Sequence, residues 1–115
     1  MNHWLMEMKM TKTITIKKGH SISDIIDNNP HCRMNLEFPN NVKGSVFTFL
    51  GSYDRKYWFN VVDFDGCEIK CPMRRGIIFG FSSSMEMVPF LKIRTGTSKR
   101  PAKQTENIVF AVSTK

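Results

Sequence analysis

Apolar and polar residues alternate along several short stretches of the chain, and each stretch predicts a β-strand. Most of these stretches are rich in β-branched and aromatic residues, which suit a pleated sheet. Turn-forming residues separate them, as in the reversal predicted at Asp65-Gly66. Because Pro89 lacks a backbone donor, its strand belongs at a sheet edge or a bulge. The predicted strands are residues 11–18, 33–38, 44–50, 56–63, 67–71, 76–81, 87–94 and 107–112.

One segment favours a helix instead of a strand. Ser21 or Ser23 could cap its first turn, and Asp24 would lie near the positive end of the helix. Pro30 ends the segment, because the residue before a proline is pushed out of the helical region. We therefore predict one short helix near residues 21–28.

Short strands, frequent turns and a single short helix indicate a mainly β or an α+β protein. We expect a small antiparallel barrel or sandwich of about six to seven strands, with an SH3-like or OB-like barrel as the first choice. The length of 115 residues suits one domain, since two halves would each be too small to bury a good core. We assign residues 10–115 to a single β-rich domain and residues 1–9 to a flexible leader, although Trp4 and Leu5 could dock on the domain.

Composition limits the class of protein further. Hydrophobic residues make up 41% of the chain and include nine Phe and two Trp, which is enough for one core. No apolar run approaches the roughly 20 residues that a membrane span needs, and the first residues lack the apolar stretch of a secretory signal. The odd number of cysteines, Cys32, Cys67 and Cys71, indicates reduced thiols. We therefore expect a cytoplasmic protein in a reducing compartment, with no membrane partner.

Charge is distributed unevenly along the chain. Residues 1–69 hold eight basic and eight acidic residues, whereas residues 70–115 hold nine basic and two acidic ones, so the second part accounts for the whole net charge of +7. This asymmetry predicts a positive surface that attracts a polyanion, although a basic surface that serves only solubility would show the same asymmetry. The loop at 95–104 adds hydroxyl groups that suit phosphate. The predicted nucleic-acid contacts are Lys70, Arg74, Arg75, Lys92, Arg94, Lys99, Arg100 and Lys103.

Aromatic residues beside these cations suggest base stacking. Tyr53 lies in a predicted turn next to two basic residues, and we expect it to be an exposed stacking platform. In the strand that follows, Tyr57 and Phe59 share one face and Trp58 lies on the other. One of those faces must join the core, and the sequence does not say which.

No arrangement of residues predicts catalysis, a metal site or a cofactor. Cys67 and Cys71 would stand about 13 Å apart on a strand, which is too far to share a metal ion. The histidines His3, His20 and His31 have no local context that predicts a catalytic group. No phosphate-binding loop or dinucleotide fingerprint occurs. We therefore expect a protein that is not an enzyme and that uses neither metal nor cofactor.

Two functions remain open. The first is the binding of nucleic acid, DNA or RNA, through a basic surface formed by residues 70–103. The second is that of a small accessory or inhibitor protein, of the kind made by phages and other mobile elements, which docks on an acidic surface of a polymerase or another nucleic-acid enzyme. Electrostatic binding to nucleic acid is strongest at low salt, so a titration there distinguishes the two.

Overall fold

The fold consists of two antiparallel sheets. The computed structural model describes residues 10–27, 34–74, 78–80 and 88–114. Alternation of apolar and polar residues determines which face of each longer strand is buried. The strands are β1 (Met10–Ile16), β2 (Ile26–Asp27), β3 (Met34–Glu37), β4 (Val46–Ser52), β5 (Phe59–Asn60), β6 (Cys71–Pro72), β7 (Ile78–Gly80), β8 (Phe90–Thr95) and β9 (Ile108–Thr114).

The first sheet has the strand order β1-β9-β3-β7. Strand β9 pairs with the whole of β1, from Met10 opposite Thr114 to Ile16 opposite Ile108. The second sheet has the order β2-β8-β4-β5, and β6 also pairs with β4. Its central pair, β4 and β8, places Ser52 opposite Phe90 at one end. Both central strands are therefore fixed by long-range backbone hydrogen bonds.

A single hydrophobic core joins the two sheets. Phe38, just after β3, links them, because its ring centroid lies 4.9 Å from that of Phe47 in β4 and 5.1 Å from that of Phe110 in β9. Such ring pairs add to the stabilisation from buried area. The core residues are Ile14, Ile16, Ile26, Leu36, Phe38, Val42, Phe47, Phe49, Met73, Leu91, Ile93, Ile108, Phe110 and Val112.

The prediction of a mainly β fold is confirmed, and the prediction of a closed barrel is not. The strands form two separate antiparallel sheets instead of one closed sheet. The barrel type expected from the sequence, SH3-like or OB-like, is therefore not supported. Within the described part of the chain, no helix is long and apolar enough to cross a membrane. The predicted leader at 1–9 lies outside the described residues.

The helix predicted near residues 21–28 is wrong for residues 21–27, and residue 28 lies outside the described residues. This segment runs extended beside β8, with Ile22 bridged to Arg94 and β2 paired with the start of β8. Ser23 does not cap a helix. Its hydroxyl accepts a hydrogen bond from the backbone N–H of Ile93 at 2.9 Å, and its own N–H donates to the carbonyl of Ile93 at 2.8 Å. A helix of two turns is marginal alone, so pairing with an existing strand prevails.

Candidate nucleic-acid interface

The second sheet turns one face toward the core and the other away from it. Phe49 and Ile93 point into the core, so the alternate residues of β4 and β8 lie on what we call the outer face. The outer face carries Thr48, Leu50, Phe90, Lys92 and Arg94. Side chains from residues 53–70 reach three of these positions, and each contact involves a cation.

Two of the three contacts are cation–π pairs. The guanidinium of Arg55 lies 4.4 Å from the centroid of the Phe90 ring. The ammonium of Lys92 lies 4.4 Å from the centroid of the Trp58 ring. Both distances are within the range in which a ring face attracts a cation. Lys92 therefore lies against an aromatic ring and not alone in solvent.

The third contact buries Arg94. Only 6% of this residue is exposed, and its Nε donates to Thr48 Oγ1 at 3.0 Å. Its Nη1 donates to Asn60 Oδ1 at 3.0 Å, and its Nη2 lies 3.3 Å from Glu68 Oε2. These contacts hold Asn60 and Glu68 against the sheet, and the charge of Arg94 is paired with that of Glu68 inside the fold.

Beyond Arg94, the outer face opens into a cleft of about 620 Å³. One wall is the hairpin of residues 62–68, which is closed by an isolated bridge between Val62 and Glu68. The other wall is the turn at 97–99. Two lysines line the cleft: Lys70, two residues after the hairpin, and Lys99 in the turn. The lining residues are Asn60, Val62, Gly66, Cys67, Glu68, Lys70, Thr97, Ser98 and Lys99.

A tight turn presents Lys99 to the cleft. The N–H of Thr97 donates to the carbonyl of Arg100, and the N–H of Arg100 donates back to the Thr97 hydroxyl. Gly96, at φ +87°, begins the turn, and a Cβ there would collide with the backbone of Arg100 and Ala102. Only glycine fits that position without strain. The position of Lys99 is therefore built into the backbone.

Glu68 is the acidic residue among the described residues that line the cleft, and the buried cation Arg94 compensates its charge. Burial raises the pKa of Glu68, but hydrogen bonds from Ser98 and the charges of Arg94 and Lys70 outweigh this effect and hold the pKa below its ordinary value. The Ser98 N–H donates to Glu68 Oε1 at 3.0 Å, which ties the two walls together. Because Arg94 balances Glu68, the lysines leave the cleft positively charged.

Acid is expected to weaken this corner of the fold. A pKa below the ordinary value of 4.5 means that the folded chain holds the proton of Glu68 less tightly than the unfolded chain. The stabilisation is complete above pH 4.5 and is lost as the pH falls through the folded-state pKa. When the pH is lowered from about 7 to about 3, the free energy of unfolding, measured with urea, should therefore fall more for wild type than for Glu68→Gln. Equal losses in the two proteins would contradict this expectation.

The structure brings only part of the predicted contact set together. Lys70 and Lys99 line the cleft, and Arg100 is exposed in the same turn as Lys99. Arg74 and Lys103 are exposed but do not line it. The remaining predicted contacts lie elsewhere: Lys92 is held against Trp58, Arg94 is buried, Tyr53 is exposed in the loop after β4, and Arg75 lies outside the described residues.

Sequence analysis missed the residue that holds the basic loop in place. Gln104 is only 2% exposed. Its Oε1 accepts from the Lys43 N–H at 2.8 Å, and its Nε2 donates to the Lys43 carbonyl and to Thr95 Oγ1, each at 2.9 Å. Thr95, expected to offer its hydroxyl to phosphate, is buried and donates to the Ala102 carbonyl at 2.6 Å. A glutamine in a polar stretch gives no sequence signal for such a role.

The groups that line the cleft suit an anion, because two lysines and the hydroxyls of Thr97 and Ser98 can donate hydrogen bonds to it. Among the described residues, no group of three or more His, Cys, Asp or Glu side chains is placed to hold a metal ion. Comparison with protein-family models, curated proteins and solved structures finds no match.

Proposed function

We propose that this chain is a non-enzymatic nucleic-acid-binding protein and that the cleft is where it grips the phosphate backbone. The observation that carries the proposal is that Lys70 and Lys99 line the same cleft, and that Glu68, the carboxylate among the described lining residues, is already paired with Arg94. Phosphate contacts in such complexes are made by long cations and small hydroxyls, and both are present here. The net charge of +7 would attract the polyanion, and the exposed Arg100 adds to it in the same turn as Lys99.

Reversing the charge of the cleft should abolish most of the binding. The double variant Lys70→Glu/Lys99→Glu is expected to lose about tenfold or more in affinity for labelled DNA or RNA at about 50 mM salt. Fluorescence anisotropy at about 50 mM and about 200 mM salt measures both the affinity and its salt dependence. The neutral pair Lys70→Gln/Lys99→Gln should reduce the slope of log K against log salt by roughly 1.4 for single strands, at about 0.7 per phosphate contact.

A matched control separates the cleft from general basicity. Lys12→Glu/Lys17→Glu makes the same change in net charge, but on β1 and the residue just after it, in the first sheet. We expect this control to keep most of the affinity. Equal losses in the two charge-reversed proteins would contradict the cleft as the site. Undetectable binding of wild type at low salt would overturn the proposal and favour an acidic protein surface as the partner.

The cysteines provide a second readout on the unmodified protein. Cys67 is exposed in the cleft, whereas Cys71 is half-buried and burial raises its pKa. Because thiolates are the reactive form, alkylation should be faster at Cys67 than at Cys71. Bound oligonucleotide should slow alkylation at Cys67 and leave Cys71 as an internal reference, with both rates followed by peptide mass spectrometry. Unchanged labelling of Cys67 at saturating oligonucleotide would place the ligand elsewhere.

A further inference from the structure

Exposed aromatic rings are concentrated in one stretch of the chain. Among the described residues, every large aromatic side chain exposed to solvent lies within residues 53–64. Tyr53 is 78% exposed and Tyr57 is 69% exposed, and both belong to the loop between β4 and β5. Exposed apolar rings in a group are unusual on a surface that only meets water. This loop is therefore a candidate contact surface for a partner that covers aromatic rings.

The loop that carries the two tyrosines is firmly built. The carboxylate of Asp54 accepts from the backbone N–H of Lys56 at 2.8 Å and of Tyr57 at 3.0 Å, and these hydrogen bonds lower the pKa of Asp54. The Ser52 hydroxyl accepts from the N–H of Arg55 at 2.9 Å. Hydrogen bonds to the side chains of Ser52 and Asp54 therefore fix the backbone of this loop, and the two tyrosine side chains are exposed on it.

Backbone strain at the tip of the same loop points to a role beyond folding. Arg55 has a φ of 68°, which side-chain-bearing residues rarely adopt. The carbonyl of Arg55 accepts a hydrogen bond from Trp58 Nε1 at 3.2 Å, and the guanidinium of Arg55 lies over the Phe90 ring. Strained backbone of this kind persists where the surroundings over-determine it, and it clusters at ligand sites. A rigid frame lowers the entropy lost when Tyr53 and Tyr57 meet a ligand.

The loop and the cleft lie at opposite ends of the segment, residues 53–70, that covers the outer face. Along β8, the outer face runs from Phe90 beneath Arg55, through Lys92 beside Trp58, to Arg94 at the margin of the cleft. At about 3.3 Å per residue, Phe90 and Arg94 are roughly 13 Å apart. With the cleft added, the track is long enough for on the order of four nucleotides, the short end of the range for small single-strand binders.

We infer that the ligand is a single-stranded nucleic acid that lies over residues 53–70, the segment that covers the outer face, with its bases on Tyr53 and Tyr57 and its phosphates in the cleft at Lys70 and Lys99. This inference rests on the proposed function and deepens it. A duplex keeps its bases stacked and offers phosphates to a protein surface, so it would use the lysines and leave the tyrosine rings uncovered. Unpaired bases have free π-faces, and every base can stack on a tyrosine. The inferred preference is therefore for single strands of any sequence.

The test compares two substitutions of the same tyrosines in the full chain. Tyr53→Leu/Tyr57→Leu removes the rings but keeps apolar bulk and charge, and Tyr53→Phe/Tyr57→Phe keeps the rings. Against an oligothymidine of about twelve nucleotides, the Leu pair should lose about tenfold or more in affinity and the Phe pair should stay within about threefold of wild type. Affinity for a duplex of similar length should stay the same in all three proteins. Photocrosslinking of an oligonucleotide with 5-iodouracil should label Tyr53 or Tyr57.

The outcomes separate this inference from the proposed function. Wild type that binds neither single strands nor duplex at low salt would overturn both. Wild type that binds through the cleft lysines, with the Leu pair equal to wild type on single strands, would overturn the inference alone. Parallel losses of single-strand and duplex binding in the Leu pair, with an unchanged thermal melting curve, would also overturn it. Both tyrosines are exposed, so melting temperatures should differ little among the three proteins.

Discussion

Replacing Arg94 with methionine is expected to lower the free energy of unfolding by about 3 kcal/mol. The substitution keeps most of the volume of the side chain but leaves the Glu68 carboxylate, whose side chain is only 12% exposed, without its cation. It also removes the donors to Thr48 and Asn60. Breaking one side of a buried pair is costly, because the remaining charge stays desolvated. Urea unfolding at neutral pH measures the loss.

Two further variants test the cause. Lys92→Met changes the neighbouring outer-face cation, whose partner among the described residues is the Trp58 ring, and should cost about 1 kcal/mol or less. Arg94→Met/Glu68→Leu removes both charges and should be markedly more stable than Arg94→Met alone, since no buried charge is left unpaired. If Arg94 were instead a surface contact for phosphate, Arg94→Met would leave stability unchanged and reduce only binding. A double variant as unstable as the sum of its single changes would contradict the buried pair.

The sequence predicted the strands that bury one face, but it did not predict a strand that is held mainly by pairing with a distant strand. In β1, the alternating Ile14 and Ile16 correctly predict a strand, because the alternation corresponds to a buried side. In β9, a continuous apolar run predicts the strand, and Phe110 is on its buried side. The segment around β2 has isoleucines at 22, 25 and 26, which also fit a helix period. Only Ile26 is buried, and the backbone of the segment is held by β8, a partner nearly 70 residues away. Local pattern carries no information about that partner.

The candidate site was predicted in its residue types and not in its geometry. Alternation correctly placed Lys92 and Arg94 on one face, but it could not show that residues 53–70 cover that face. Lys70 and Lys99 were both predicted contacts, although nothing local brings them together. Their meeting depends on Glu68, whose carboxylate accepts the Ser98 N–H and pairs with Arg94. The sequence gives the number of cations, but the fold is needed to show which of them are already paired and which remain available for a ligand.

Replacing Gln104 with alanine is expected to cost about 3 kcal/mol, although the residue lies in a polar loop. The carboxamide, itself buried, satisfies both backbone groups of Lys43 and reaches the buried Thr95 Oγ1. Its removal breaks these three hydrogen bonds at once and leaves an unfilled space where the buried side chain was, and both losses lower stability. The adjacent change Lys103→Ala is the control, because that side chain is exposed and should alter stability by about 0.5 kcal/mol or less.

The same substitution connects stability to the proposed site. Thr95 and Ala102 flank the turn that presents Lys99, and both are tied to Gln104. In Gln104→Ala the turn should lose its fixed position, so the amides of Lys43 and Ala102 should exchange with deuterium faster than in wild type. Nucleic-acid affinity should fall by a few-fold even under conditions where the variant is fully folded, because Lys99 must then be ordered on binding. Unchanged exchange at both amides would mean that the turn is held without Gln104, and the cleft would then owe its shape to Gly96 and Glu68 alone.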